Sequence, residues 1–181
     1  MALRATIYKA NLHVANQDLH HYASHAVVLA KHPSETTERM MVRLVAFALN
    51  ASEDLVFTKG LSEVDEPDLW LKDLTGSIQL WIDVGQPDER RILKACGRAN
   101  QVKVYCYARQ VAKLWWEPIA NKLGRARNLT IIALPSEQTK ALDALVASSM
   151  DINVNVQDGQ ILVSSNKGDV TIDPVFLRPE S

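Results

Sequence analysis

The order of apolar and polar positions predicts an alternation of strands and helices along the chain. Residues 4–15 alternate in part (Ile7, Leu12, Val14), and residues 22–30 are small or β-branched. With Asn16-Gln17-Asp18 turning between them, the two stretches predict a β-hairpin. Pro33-Ser34 predicts a helix start with Ser34 as N-cap, and the helix runs to about Asn50. Residues 55–58 read as a short strand followed by a turn at Lys59-Gly60. Residues 67–71 and 77–84 read as two more strands, with Thr75-Gly76 turning between them. Pro87-Asp88-Glu89 predicts a second helix, with proline at its first position and acids in its first turn, ending near residues 97–100. Residues 102–108 (VKVYCYA) alternate as a strand. Residues 110–123 are helical in part and interrupted at Pro118. Residues 129–134 (LTIIAL) form a buried type of strand, and Ser136 caps a helix to about Ser148. Ile152, Val154 and Val156 alternate with polar residues, Asp158-Gly159 turns, and residues 161–163 return. Residues 170–172 add a third strand.

The central order is therefore helix, three strands, helix, strand. Strands joined by short turns pair antiparallel, and the strand after the second helix can rejoin as a parallel neighbour. This predicts an α/β fold, a mixed sheet with packed helices, in a single domain spanning residues 1–181. The length suits one sizeable core.

Composition narrows the function classes. Hydrophobic residues make up 47% and charged residues 23% of the chain, which is ordinary for a globular protein and excludes disorder. No apolar run approaches the ~20 residues needed to span a bilayer, and residues 1–14 lack a signal-type apolar core. Two cysteines, Cys96 and Cys106, make no disulfide framework and no metal spacing. The expected location is cytoplasmic, with no membrane partner. The net charge is only −1, yet residues 90–127 carry ten basic residues and one acid, Glu117. Such asymmetry predicts one basic face beside an acidic remainder.

Candidate chemistry centres on carboxylates. On the first helix Met41, Leu44, Val45, Ala48 and Leu49 share an apolar face, and Glu38 falls on the same side. A carboxylate there is paired or metal-bound rather than free. Glu35, Arg39 and Arg43 form a polar wedge, which makes Glu35 the second choice. Asp68 opens one strand, and Asp83 is the only acid in the apolar strand after it. At the ends of adjacent antiparallel strands the two can converge. Two or three carboxylates around Mg²⁺ or Mn²⁺ suit phosphodiester hydrolysis, because the ion neutralises phosphate and activates water. Arg90, Arg91, Lys94 and Arg98 share one side of the next helix and predict contacts to phosphates of DNA or RNA. Trp115 and Trp116 lie in the same basic region and read first as core anchors. Trp70 and Trp81 read as a cross-strand pair. His13, His21 and His25 can meet on one face of the first hairpin, without the spacing of a zinc site. Phosphate-cradling glycine loops and a nucleophile elbow are absent, so no organic cofactor is expected.

The runs HPSET, EPDLW, DLTG, LWIDVGQPDERR and KACGRA follow one another as in the YaeQ family of bacterial proteins, which the chain resembles over essentially its whole length. The resemblance implies a PD-(D/E)XK nuclease-like core with added β-hairpins at both ends. Glu38, Asp68 and Asp83 match the acids of that superfamily and would be its metal ligands. Gly85 stands where the superfamily has lysine. Gln86 or Lys94 could fill that role, giving a candidate catalytic set of Glu38, Asp68, Asp83, Gln86 and Lys94. The implied function is a divalent-metal-dependent nuclease or phosphodiesterase. The alternative is a nucleic-acid-binding or regulatory protein that retains the fold with weak or no catalysis.

Overall fold

The computed structural model describes residues 4–59 and 63–180, so the expected Lys59-Gly60 turn runs outside the described residues. Strands β1 (Thr6–Asn16) and β2 (His21–Lys31) form the expected hairpin. The Asn16 side chain accepts the Leu19 N–H at 3.1 Å and closes the turn. Helix α1 is Thr37–Leu49, and its cap is Thr36 rather than Ser34. Thr36 Oγ1 accepts the Arg39 N–H at 3.1 Å, whereas the Ser34 hydroxyl is taken by the His32 ring at 2.7 Å. Strands β3 (Leu55–Phe57), β4 (Leu69–Lys72) and β5 (Ile78–Val84) follow.

Helix α2 (Glu89–Arg98) starts at Asp88, whose carboxylate accepts the Arg91 N–H at 2.8 Å. Pro87 therefore precedes the cap instead of occupying the first helical position. Strand β6 is Ala99–Tyr107. The next helical stretch changes winding without breaking, from a π-turn at Ala112–Trp116 to α3 (Glu117–Ala120) and a 3₁₀ turn at Asn121–Leu123. Pro118 falls in the first turn of α3, and the wider π-turn before it takes up the ring and the missing N–H. After β7 (Leu129–Leu134), α4 (Ser136–Ala141) is shorter than expected and tightens into a 3₁₀ turn at Leu142–Leu145. Ser136, expected as its cap, is its first helical residue. Strands β8 (Ser149–Gln157), β9 (Gln160–Ser165) and β10 (Gly168–Ile172) follow, with a final strand, β11 (Val175–Arg178), that the periodicity did not reveal.

These elements form two mixed sheets in two compact units. Unit 1 comprises residues 1–51 and 137–174. Its sheet runs β10-β9-β8-β1-β2. The end hairpins are not separate additions: β1 pairs in parallel with β8, placing Leu12 opposite Ile152 and Val14 opposite Val154. All four are buried, so one apolar face joins both ends of the chain. Helix α1 lies against β1, β2 and β8. Unit 2 comprises residues 52–136 and 175–181, with the sheet order β11-β7-β6-β5-β4-β3. Strands β3 to β5 are antiparallel, and α2 crosses over to a parallel β6, followed by a parallel β7. Ile92 and Ala95 of α2 pack with Trp81, Val102, Val104, Cys106 and Ile131 in the core of this unit.

Candidate functional site

The site begins with the two aspartates of unit 2. Leu69 pairs with Ile82, so Asp68 and Asp83 stand one residue further, at the same end of adjacent antiparallel strands. Both are almost fully buried, at 4% and 2% exposure. Asp68 Oδ2 accepts the Val84 N–H at 2.8 Å, and its backbone bridges Ile82 and Thr58. Asp83 is held differently. Arg91 Nε donates to one carboxylate oxygen and Nη2 to the other, each at 3.0 Å. A buried carboxylate needs a counter-charge, and a bidentate guanidinium supplies charge and geometry together. Arg91 also donates to the carbonyls of Val64 at 2.6 Å and Glu66 at 2.8 Å. It is thus turned toward the protein, with its side chain 30% exposed.

The remaining basic stripe is partly engaged as well. Lys94 Nζ reaches Asp65 Oδ1 at 2.9 Å, and Arg98 Nη1 reaches the Asp65 carbonyl at 2.8 Å. Lys94 therefore does not turn back toward Asp83. Its ammonium, chiefly by hydrogen bond and then by charge, holds the Asp65 carboxyl below the usual carboxylate range. Arg98 also lies over the Trp81 ring, 5.0 Å from its centre. Residues 64–66 are consequently clamped onto α2. Gln86 is exposed and donates to the Tyr107 carbonyl.

Gly85, where lysine was expected, has φ +112°. A Cβ there would meet nothing within 4 Å. The backbone conformation itself, and not crowding, excludes lysine. By contrast Arg90, Arg109, Lys113 and Arg125 of unit 2 are exposed and form no ion pair among the described residues.

The helix acids lie in unit 1. Glu38 is half-buried and accepts the Thr139 hydroxyl at 2.8 Å. Glu35 is buried and fully engaged: Arg39 donates at 2.6 Å and Arg43 at 2.7 and 2.9 Å. The polar wedge is a buried charge cluster, with Arg43 only 4% exposed. Among the described residues no group of three or more His, Cys, Asp or Glu side chains is placed to hold a metal ion. With both Asp83 oxygens on Arg91, the residues as arranged do not fit Mg²⁺ or Mn²⁺.

A family model described as YaeQ protein matches residues 1–174. This chain belongs to the YaeQ family. It is 42% identical over 173 residues to "Uncharacterized protein YaeQ" of Escherichia coli (strain K12), covering 96% of each chain. The crystal structure of a YaeQ protein from Xanthomonas axonopodis pv. citri matches with TM-score 0.94 and 47% identity, over 98% of this chain and 99% of that one. The YaeQ protein from Pseudomonas syringae matches with TM-score 0.92 and 32% identity, over 97% of each.

Other candidates in this YaeQ chain have structural partners. The three histidines do not all meet on one face. His13 bonds Ser24 and Asp151, while His21 stacks on His25 with centroids 5.8 Å apart. Trp116 is core, and Trp115 Nε1 donates to the Pro87 carbonyl at 2.9 Å. Trp70 and Trp81 meet edge-on across β4 and β5, centroids 6.3 Å apart. Both cysteines are free, and burial pushes the Cys106 thiol up to about 12. Lys103 entered the sequence reading only as one of the ten basic residues of 90–127. It sits on a central strand, and burial lowers its pKa against the opposing effect of Glu180. Its only signal was a lysine inside the alternating run VKVYCYA. No described helix is long and apolar enough to cross a membrane.

Proposed function

We propose that this YaeQ chain binds nucleic acid on a PD-(D/E)XK nuclease-like scaffold whose carboxylate centre is neutralised by an arginine. The order α1, β3, β4, β5, α2, β6, with β3 to β5 antiparallel and β6 parallel to β5, supports the scaffold. One contrast within unit 2 carries the reading. Buried Asp83 is matched by Arg91, while exposed Arg90, Arg109, Lys113 and Arg125 are unmatched. Unmatched surface cations attract a polyanion through counterion release, without sequence readout. The absence of lysine at Gly85 and the engagement of both Asp83 oxygens favour binding over hydrolysis.

Fluorescence anisotropy with single- and double-stranded DNA and RNA tests this. Affinity is expected to fall linearly on a log–log plot against salt. Arg109→Gln and Lys113→Gln should each flatten the slope by about 0.7–0.9, the value of one phosphate contact. Salt-independent binding, or none, would end the reading. Cleavage that needs a divalent ion and vanishes in Asp83→Ala would return the protein to the nucleases.

A further inference from the structure

Unit 1 contains a cleft of about 680 Å³ on the open face of its sheet, within the size range of small-molecule sites. Its floor is a register row crossing four strands. His13 stands opposite Asn153, Asn153 opposite Ser164, and Ser164 opposite Asp169. Residues paired in this way point to the same face of a sheet. The sequence neighbours Leu12, Ile152, Val163 and Val170 are buried on the other face, so the polar row is presented outward. One wall is the β9–β10 hairpin, whose Lys167 Nζ donates to the Val146 carbonyl at 3.0 Å and straps it to the facing loop.

The imidazole in this floor is fixed from both sides. His13 Nε2 lies 2.8 Å from Asp151 Oδ1, and Nδ1 lies 2.8 Å from Ser24 Oγ. A carboxylate only accepts, so Nε2 carries the hydrogen. In the neutral ring Nδ1 then accepts from the Ser24 hydroxyl. Two neighbouring strands thus hold the ring in place before any ligand arrives.

The lining selects by hydrogen-bond type. Asp151 and Asp169 offer only acceptors and negative charge, which disfavours phosphates and carboxylates. A polyamine offers only donors and positive charge, which suits neither the Lys167 ammonium nor the amide hydrogens of Asn153. A hydroxyl both donates and accepts, so it pairs with carboxylate, amide, serine and ammonium alike. The lining residues include no Phe, Tyr or Trp, so the cleft has no platform for a flat aromatic ligand. We propose that this cleft binds a neutral polyhydroxylated molecule, such as a mono- or disaccharide or a sugar alcohol. The proposal rests on unit 1 alone and is independent of nucleic-acid binding.

The test is ¹⁵N NMR titration of the full chain with D-glucose, D-ribose, sucrose and myo-inositol, and with inorganic phosphate and spermidine as charged controls. Saturable shifts at the amides of His13, Asn153 and Ser164 are expected with at least one polyol and with neither control. Asn153→Leu and Asp169→Leu change exposed side chains and should weaken that binding at least about tenfold, a 1.4 kcal/mol difference. Asn153→Ala, which removes the amide without adding a bulky apolar group, covers the case in which a leucine variant misfolds, and should also weaken it. Three results would overturn the proposal: no saturable polyol shift, saturation of the same amides by phosphate or spermidine, or variants that bind like the unmodified protein.

Discussion

Arg91 does at residue scale what a metal ion does in a hydrolytic carboxylate site: it balances buried negative charge. The Arg91 side chain is 30% exposed and that of Asp83 3%, so removing the arginine strands a charge in the interior. Arg91→Ala should therefore cost about 3–5 kcal/mol in urea unfolding. A double variant with Asp83→Leu should recover much of the loss. A cost below about 1 kcal/mol, the range of exposed pairs, would show that the pair is not what holds Asp83. Gly85 gives a second residue-scale expectation. Its φ of +112° leaves room for a Cβ but not for the conformation of an L-residue. Gly85→Ala should destabilise by more than about 1 kcal/mol through backbone strain, and Gly85→Lys should restore no nuclease-type lysine. Cys106, with its thiol near 12, should resist iodoacetamide in the native state at neutral pH and react on unfolding, as read by mass spectrometry.

At the scale of elements, α2 is a clamp as much as a basic face. Three of its cations hold residues 64–66 through Val64, Asp65 and Glu66. Asp65 is exposed, so Asp65→Asn should change stability little. It should still tighten nucleic-acid binding, because Lys94 is released from its ion pair with Asp65. Unchanged affinity in the anisotropy assay would exclude this face from the interface and leave Arg109, Lys113 and Arg125 to carry it. On α1, the cap shift separates two nearby hydroxyls. Thr36→Ala should cost about 1 kcal/mol of thermal or urea stability. Ser34→Ala, which removes a hydroxyl bonded to His32 and not to the helix, should cost far less.

For the whole molecule, pH acts through groups in both units. Asp173 is held below the usual 3.8 chiefly by the Gln160 and Gln138 side chains, Asp73 chiefly by Thr75, and Asp65 chiefly by Lys94. Each folded value lies below the unfolded one. The stabilisation is complete above the unfolded carboxylate range and is lost as pH falls through the folded values. Lys103 is displaced the other way for a base: burial lowers it from 10.5. At Lys103 the unfolded chain binds more protons between the lowered value and 10.5, so this group adds stability as pH rises across that window. The raised Cys106 thiol instead removes stability as pH rises from 9.0 toward about 12. Urea midpoints over a pH series should show the acid limb and the net alkaline slope. Asp73→Asn should flatten the acid limb, and Lys103→Met, which leaves the Cys106 contribution unopposed, should steepen the loss of stability at alkaline pH.

Much of this was legible in sequence. Alternation marked the hairpins, the apolar run LTIIAL marked a buried strand, and the order of elements marked a mixed α/β fold, because periodicity is a local consequence of burying one face. Asp68 and Asp83 were also legible as strand-end acids, since their places depend only on short turns. What stayed hidden was the partner of several charges. Helical spacing gave the Glu35–Arg39 pair, but not Arg43, which closes on the same carboxylate in the interior. Arg91 looked like one cation in a stripe, yet it closes on an aspartate eight residues away. The pairing of β1 with β8 and the row from His13 to Asp169 join residues more than 130 positions apart. A helical wheel gives the direction of a side chain, whereas the charge or strand that meets it is set by long-range packing. Tertiary structure alone therefore decided which strands met and which polar residues lie together on the open face of the sheet.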